Sequence, residues 1–303
     1  MTSSDRPPPD RPGRLAVGVV GAGRVGAVLG AALARAGHRV VAASGVSDRS
    51  VERAELLLPG VPLLPPPDVC AAADLVLLTV PDDDLPQLAA GLAETGAIRP
   101  GQLVTHTSGR YGVGVLHRAA EVGALPMAIH PVMTFTGTSV DLDRLGGCIF
   151  GVTVPPTLAP IADALVLEMG GEPVHVLEER RGLYHAALAH AANHLVTLVT
   201  SSADLLRASG VDQPSRVLEP LLSAALDNAI REGDVALTGP VARGDAGTVA
   251  AHVAAIGEVS PQTRAAYLAL ARLTAERALD AGLLDAVRAE PLLGVLGDGG
   301  AAA

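Results

Sequence analysis

The chain reads as an α/β protein: an N-terminal doubly wound, mostly parallel sheet followed by an all-helical domain. Three observations lead there. Apolar strand-like runs alternate with helical patterns through the first half, the arrangement a parallel sheet requires. The first of these runs ends in a glycine-rich turn that opens a helix. From about residue 179 the alternation stops and only helical periodicity remains.

The elements follow in order. Residues 15–20 (LAVGVV) form a strand buried on both faces. Val25, Val28, Leu29 and Leu33 then recur at helical spacing over 24–36. Further strands are expected at 39–43, 74–80, 102–106 and 124–129, with helices at 49–58, 82–94 and 113–121. Residues 147–154 and 172–177 add two strands around a helix near 157–169. Helices at 179–208, 214–232, 245–257 and 260–282 follow, broken by Gly210, Gly233 and Gly244. The expected domains are 14–178 and 179–292, between a disordered Pro-rich leader (1–13) and a frayed tail (297–303).

Composition limits the chemistry. The net charge of −10 disfavours nucleic acid or an anionic membrane surface as a partner. All 22 basic residues are arginine, which excludes Schiff-base chemistry and a lysine proton donor. Cys70 and Cys148 follow no metal spacing and suit a reducing, cytoplasmic setting. No metal is expected: His190 and His194 are four apart, but the glutamate of a zincin helix is missing between them. The leader lacks the apolar segment of a signal peptide. Polar residues interrupt the most apolar helix, 183–200, so a soluble protein without a membrane span is expected.

Gly21-Ala22-Gly23-Arg24-Val25-Gly26 is a G-x-G-x-x-G between strand and helix, the context in which it signals a dinucleotide. Gly21 would turn the chain out of the strand, Gly23 would admit a pyrophosphate, and Gly26 would let helix and sheet touch. An NAD site places an acid at the end of the second strand to bind the ribose. Here Ser44, Ser47 and Arg49 follow that strand instead, donors suited to a 2′-phosphate, with Arg24 able to share it. NADP(H) is therefore the expected cofactor. Asp48 is read as a cap of the helix that begins near Arg49. Thr79, Val80 and Pro81 end the third strand-like run where the nicotinamide ribose would lie, although Pro81 followed by acids is also an ordinary helix start.

Two loops follow strands at the same edge of the sheet, Thr105–Gly109 (THTSG) and Ile129–Phe135 (IHPVMTF). With lysine absent, a histidine is the natural proton donor for reduction of a carbonyl or imine. His130, placed just past a strand end and stiffened by Pro131, is the first choice and His106 the second, with Ser108 and Gly109 beside substrate. Farther on, His185, Ala189 and Asn193 share one helical face, and a buried Asn193 is suited to a substrate oxygen. In Leu237–Asp245 (LTGPVARGD) a rigid loop presents Thr238 and Arg243 beside a helix start capped by Asp245, an arrangement suited to a carboxylate.

GAGRVG, GHRVVAASGVSDRS, TVPDDDL, HTSG, HPVMTF, His185 to Asn193 and LTGPVARGD together resemble one family. It comprises Rossmann-like oxidoreductases with a C-terminal helical domain of unknown function, and the resemblance covers roughly residues 14–292. The family is similar to pyrroline-5-carboxylate reductase, ketopantoate reductase and the 6-phosphogluconate dehydrogenase-like superfamily. The resemblance implies NADP(H)-dependent reduction, with ketopantoate as the leading substrate, and a helical domain that forms a homodimer. A pyrroline-type imine reductase and a non-catalytic NADP(H)-sensing module are the alternatives. One departure is plain: where ketopantoate reductases carry lysine four residues before the asparagine, this chain has Ala189.

Overall fold

The computed structural model describes residues 13–298. Seven strands, β1 (Ala16–Val20), β2 (Arg39–Ser44), β3 (Leu75–Leu78), β4 (Leu103–His106), β5 (Leu125–Pro131), β6 (Ile149–Thr153) and β7 (Glu172–His175), form one sheet in the order β2-β1-β3-β4-β5-β6-β7. Its neighbours pair in parallel except β5 and β6. A parallel return needs a long crossover helix. Between β5 and β6 the chain supplies only the short α6 described below, and it returns antiparallel.

Seven helices belong to this layer: α1 (Arg24–Ala36), α2 (Asp48–Leu57), α3 (Pro66–Ala72), α4 (Leu85–Glu94), α5 (His117–Glu121), α6 (Val140–Arg144) and α7 (Ala159–Glu168). Strand alternation sends side chains to two cores. Val17, Val19, Leu75, Leu77, Met127 and Phe150 pack with α1 and α7, while Val76, Leu78 and Val104 pack with α3 and α4. Each fully buried leucine or valine contributes about 1.5–3 kcal/mol.

α3 and α6 were not expected, because each is too short to show helical periodicity. α4 starts at Leu85 rather than 82: Pro81 opens a turn, its carbonyl accepting from the amides of Asp84 and Leu85. β5 runs through His130 and Pro131, so His130 lies within a strand and not beyond its end. Antiparallel pairing with Phe150 and Gly151 draws those residues into the ladder.

β1 feeds β2 on one side, and the chain then returns to β3 on the other. That reversal is a topological switch point, and ligands of open α/β sheets bind outside the carboxyl ends of the strands there. The glycine turn and Thr79–Pro81 both lie at this point.

The remaining helices are α8 (Arg181–Ala208), α9 (Pro214–Glu232), α10 (Ala246–Val259), α11 (Pro261–Asp280) and α12 (Ala286–Asp298). The chain divides into two compact units, 1–190 and 191–303, so the first turns of α8 belong with the sheet. In the second unit by itself, Val249, Val253, Leu268, Ala275 and Leu292 make a core among α10, α11 and α12. The leader through residue 12 and the tail from 299 lie outside the described residues; Gly297 and Asp298 are helical rather than frayed. Among the described residues no helix is long and apolar enough to cross a membrane, and no group of three or more His, Cys, Asp or Glu could hold a metal ion.

Candidate functional site

An open cleft of about 610 Å³ lies over the switch point, lined by Gly21–Gly23, Ser44, Ser47 and Thr79–Pro81 among others. The three glycines have separate physical reasons. Gly21 sits at φ +96°, in the left-handed region, where the chain turns out of β1. A Cβ on Gly26 would overlap Thr79 Oγ1 and the Gly21 carbonyl, so α1 reaches the sheet only without one. At Gly23 the nearest atom to such a Cβ is the Gly21 oxygen at 4.0 Å, which leaves the backbone open to a ligand. No side chain caps α1 and no acid stands in its first turn, so the positive end of the helix faces the turn unneutralised.

Side chains hold this turn in place. Ser44 Oγ accepts from the Gly21 amide at 3.0 Å, and Thr79 Oγ1 donates to the Gly21 carbonyl at 2.6 Å. Ser47, not Asp48, caps α2: its hydroxyl accepts from the Ser50 amide, and the Ser50 hydroxyl accepts from the Ser47 amide. Arg24 and Arg49 are exposed. Arg53 was missed in the sequence, although it lies one turn beyond Arg49. Its Nε and the Arg24 side chain converge on Gly137, where a Cβ would stand 2.6 Å from Arg53 Nε and 2.8 Å from Arg24 Cγ.

A second cluster lies at the carboxyl ends of β4 and β5. His106 is fully buried, and backbone groups occupy both of its ring nitrogens: the Ser108 amide donates to Nδ1 at 3.2 Å, and Nε2 meets the Gly112 carbonyl at 2.8 Å. Nδ1 accepts, so Nε2 carries the hydrogen and donates. The ring therefore holds its loop, contrary to the expected second proton donor. Ser108 is also turned inward, its hydroxyl accepting from the amides of Arg110 and Tyr111.

His130 differs. Its Nδ1 meets the Tyr184 hydroxyl at 2.9 Å, and its ring stands edge-on to Tyr184 and His185, with centroids 5.7 and 6.2 Å away. Gly109 closes the group: a Cβ there would lie 2.9 Å from His130 Nε2 and 2.7 Å from His185 Cδ2. Arg181 is 1% exposed, and it donates to the carbonyls of Ser108, Tyr111 and Gly151; among the described residues no carboxylate forms a salt bridge with it, Glu178 and Asp82 acting only through their charge. Burial, helped by Arg181 and His185 and opposed by Asp82, pushes His130 down to about 4. Burial also pushes His106 down to about 4. The site is thus two neutral imidazoles beside a buried cation, suited to an anionic or oxygen-bearing ligand.

Of the expected site residues, His130, His185 and Gly109 come together. Arg181 and Tyr184 were missed; the only trace in the sequence is their spacing of three on one helix face. Asn193, expected to be buried, is exposed on α8. In the second unit Thr238 and Arg243 are exposed, and the Arg243 guanidinium donates to the Thr238 carbonyl. Asp245 caps α10 as expected, accepting from the Thr248 amide at 3.0 Å.

Comparison with known proteins agrees with this architecture. A model described as a Rossmann-like domain matches residues 1–131, and one described as DUF2520, a domain of unknown function, matches 148–274. No curated protein matches the chain. Among solved structures, a Bacteroides fragilis protein named for NADP oxidoreductase activity shares 21% identity over 87% of this chain and 98% of its own, with a TM-score of 0.72. A Thermotoga maritima protein shares 22% over 88% and 99%, with a TM-score of 0.65. An imine reductase from Myxococcus stipitatus, in complex with NADP+, shares 18% over 88% and 93%, with a TM-score of 0.58. At these identities the likeness is one of fold.

Proposed function

We propose that this chain, a Rossmann-like domain followed by a DUF2520 domain, is an NADP(H)-dependent reductase of a small 2-oxo acid, with ketopantoate as its substrate. Residues 14–178 would hold the dinucleotide, and 179–292 would serve substrate binding and dimerisation. The observation that carries the reading is the glycine turn, closed at Gly26 and open at Gly23, at the switch point of a sheet that carries His130 on the same edge.

The residues present fit a dinucleotide. Gly21–Gly26 and the uncapped end of α1 would hold the pyrophosphate; Ser44, Ser47, Arg49 and Arg24 would surround the adenosine ribose and its 2′-phosphate. No acid ends β2 to claim a free 2′-hydroxyl. Thr79, Val80 and Pro81 would line the nicotinamide ribose. When bound, the reduced nicotinamide supplies the hydride. The chain supplies the proton and the positive field: His130 Nε2 hydrogen-bonds the substrate oxygen, and Arg181 stabilises negative charge developing there.

The test is a steady-state assay with NADPH against ketopantoate and against a cyclic imino acid. The imine is the second reading, suggested by the likeness to an imine reductase. Turnover of neither, with NADPH still bound, would leave a cofactor-sensing module. The free, buried cysteines suit the cytoplasm.

A homodimer is part of the proposal. Of the 28 residues of α8 only Arg181 is buried, and Val196, Leu221 and Ile230 on α8 and α9 are 63%, 62% and 76% exposed. So much apolar helix surface is suited to a second copy. Sedimentation of a monomer at micromolar concentration would refute this.

A further inference from the structure

We propose that Tyr184 is a positioning residue that fixes the tautomer of His130 and passes its phenolic proton through that ring to the substrate. The inference rests on the reductase reading and adds to it the source of the proton.

The geometry supplies the argument. A neutral imidazole has one hydrogen, and the nitrogen that carries it is set by the partner of the other. Burial raises Tyr184 above the usual phenol range, so its hydroxyl is protonated and is a hydrogen-bond donor. Its partner is His130 Nδ1 at 2.9 Å. Gly151 leaves room for the phenol, since a Cβ there would overlap the phenolic oxygen. The Arg181 guanidinium lies 5.6 Å from the centre of the tyrosine ring, and its charge disfavours a doubly protonated His130 ring. In this assignment Tyr184 donates, Nδ1 accepts, and the hydrogen of His130 sits on Nε2, the nitrogen beside Gly109.

This resolves a difficulty in the site. A histidine held near 4 is not an imidazolium at neutral pH, and a neutral ring that lost its only hydrogen would become an imidazolate. With Tyr184 behind it, the ring loses the Nε2 hydrogen to the substrate oxygen and gains the phenolic hydrogen at Nδ1. One N–H and one O–H bond break, and one O–H and one N–H bond form. The ring stays neutral throughout, and the resulting phenolate faces Arg181 until water reprotonates it. The titratable groups around the pair are Arg181 and His185 on α8, His106 on β4, Asp82 after β3 and Cys148 before β6.

The experiment is nitrogen NMR of the whole protein labelled with 15N-histidine, with His130 assigned by the signal that His130→Gln removes. The expected result is a hydrogen on Nε2 and a bare Nδ1 from pH 5 to 8, changing to a mixture of tautomers in Tyr184→Phe. A hydrogen on Nδ1 in the unaltered protein, or an unchanged tautomer in Tyr184→Phe, would overturn the proposal. In turnover, Tyr184→Phe is expected to lower kcat about 100-fold, with KM and NADPH affinity unchanged. An unchanged kcat would overturn the relay. If no carbonyl or imine is reduced by the unaltered protein, the reductase reading fails, while the tautomer result still decides the role of Tyr184.

Discussion

The glycine turn at β1 and the histidine cluster at β4 and β5 lie on the same edge of one sheet, yet they are built in opposite ways. The turn is made of backbone, and its defining residues are those whose missing side chains leave room. The cluster is made of side chains from β4, β5 and the start of α8, brought together over 54 positions between His130 and Tyr184. A site built from backbone is written locally in the sequence. One built from side chains depends on which strands become neighbours.

The sharpest way to break the comparison is within the cluster, where two histidines on neighbouring strands share a depressed pKa but differ in what their nitrogens touch. His130→Gln is expected to lower kcat about 10²–10⁴-fold while the unfolding midpoint stays near its unaltered value. Comparable activity in both proteins would remove His130 from the chemistry. His106→Ala should act in the opposite sense, costing about 1–3 kcal/mol in urea unfolding through the unpartnered Gly112 carbonyl and Ser108 amide.

The pH dependence follows from the same ring. His106 titrates near 4 in the folded chain against an ordinary 6.5, so the unfolded chain binds the extra proton between those values. Its contribution to stability is complete above about 6.5 and is lost as pH falls toward 4. His106→Gln should flatten that part of the stability profile; an unaltered slope would assign it to other groups.

Smaller effects test the turn and its surroundings. Arg49→Ala is expected to weaken NADPH about tenfold relative to NADH in a binding titration. An unchanged ratio would move the 2′-phosphate to Arg24 and Arg53. Ser47→Ala removes the cap of α2 and should cost about 1 kcal/mol of stability.

The same division explains how much could be read in advance. The order of the strands, the turn at Gly21, the close packing at Gly26 and the cap at Asp245 rest on periodicity and local backbone chemistry, and these are found in place. Asp48 yielded the cap of α2 to Ser47 because that choice depends on a single residue of register. His130 was recognised, but as a loop residue, since the antiparallel partner that extends β5 lies beyond a short connection. Arg181 and Tyr184 left no local mark, because their importance comes from contact with Ser108, Gly151 and His130, all distant in sequence.

A crystal structure of the protein with NADP(H) bound tests the central claim most directly. The pyrophosphate is expected over Gly23 at the start of α1, and the nicotinamide at the edge where His130 Nε2 lies beside Gly109. A dinucleotide bound away from the glycine turn, or a nicotinamide directed away from His130, would contradict it.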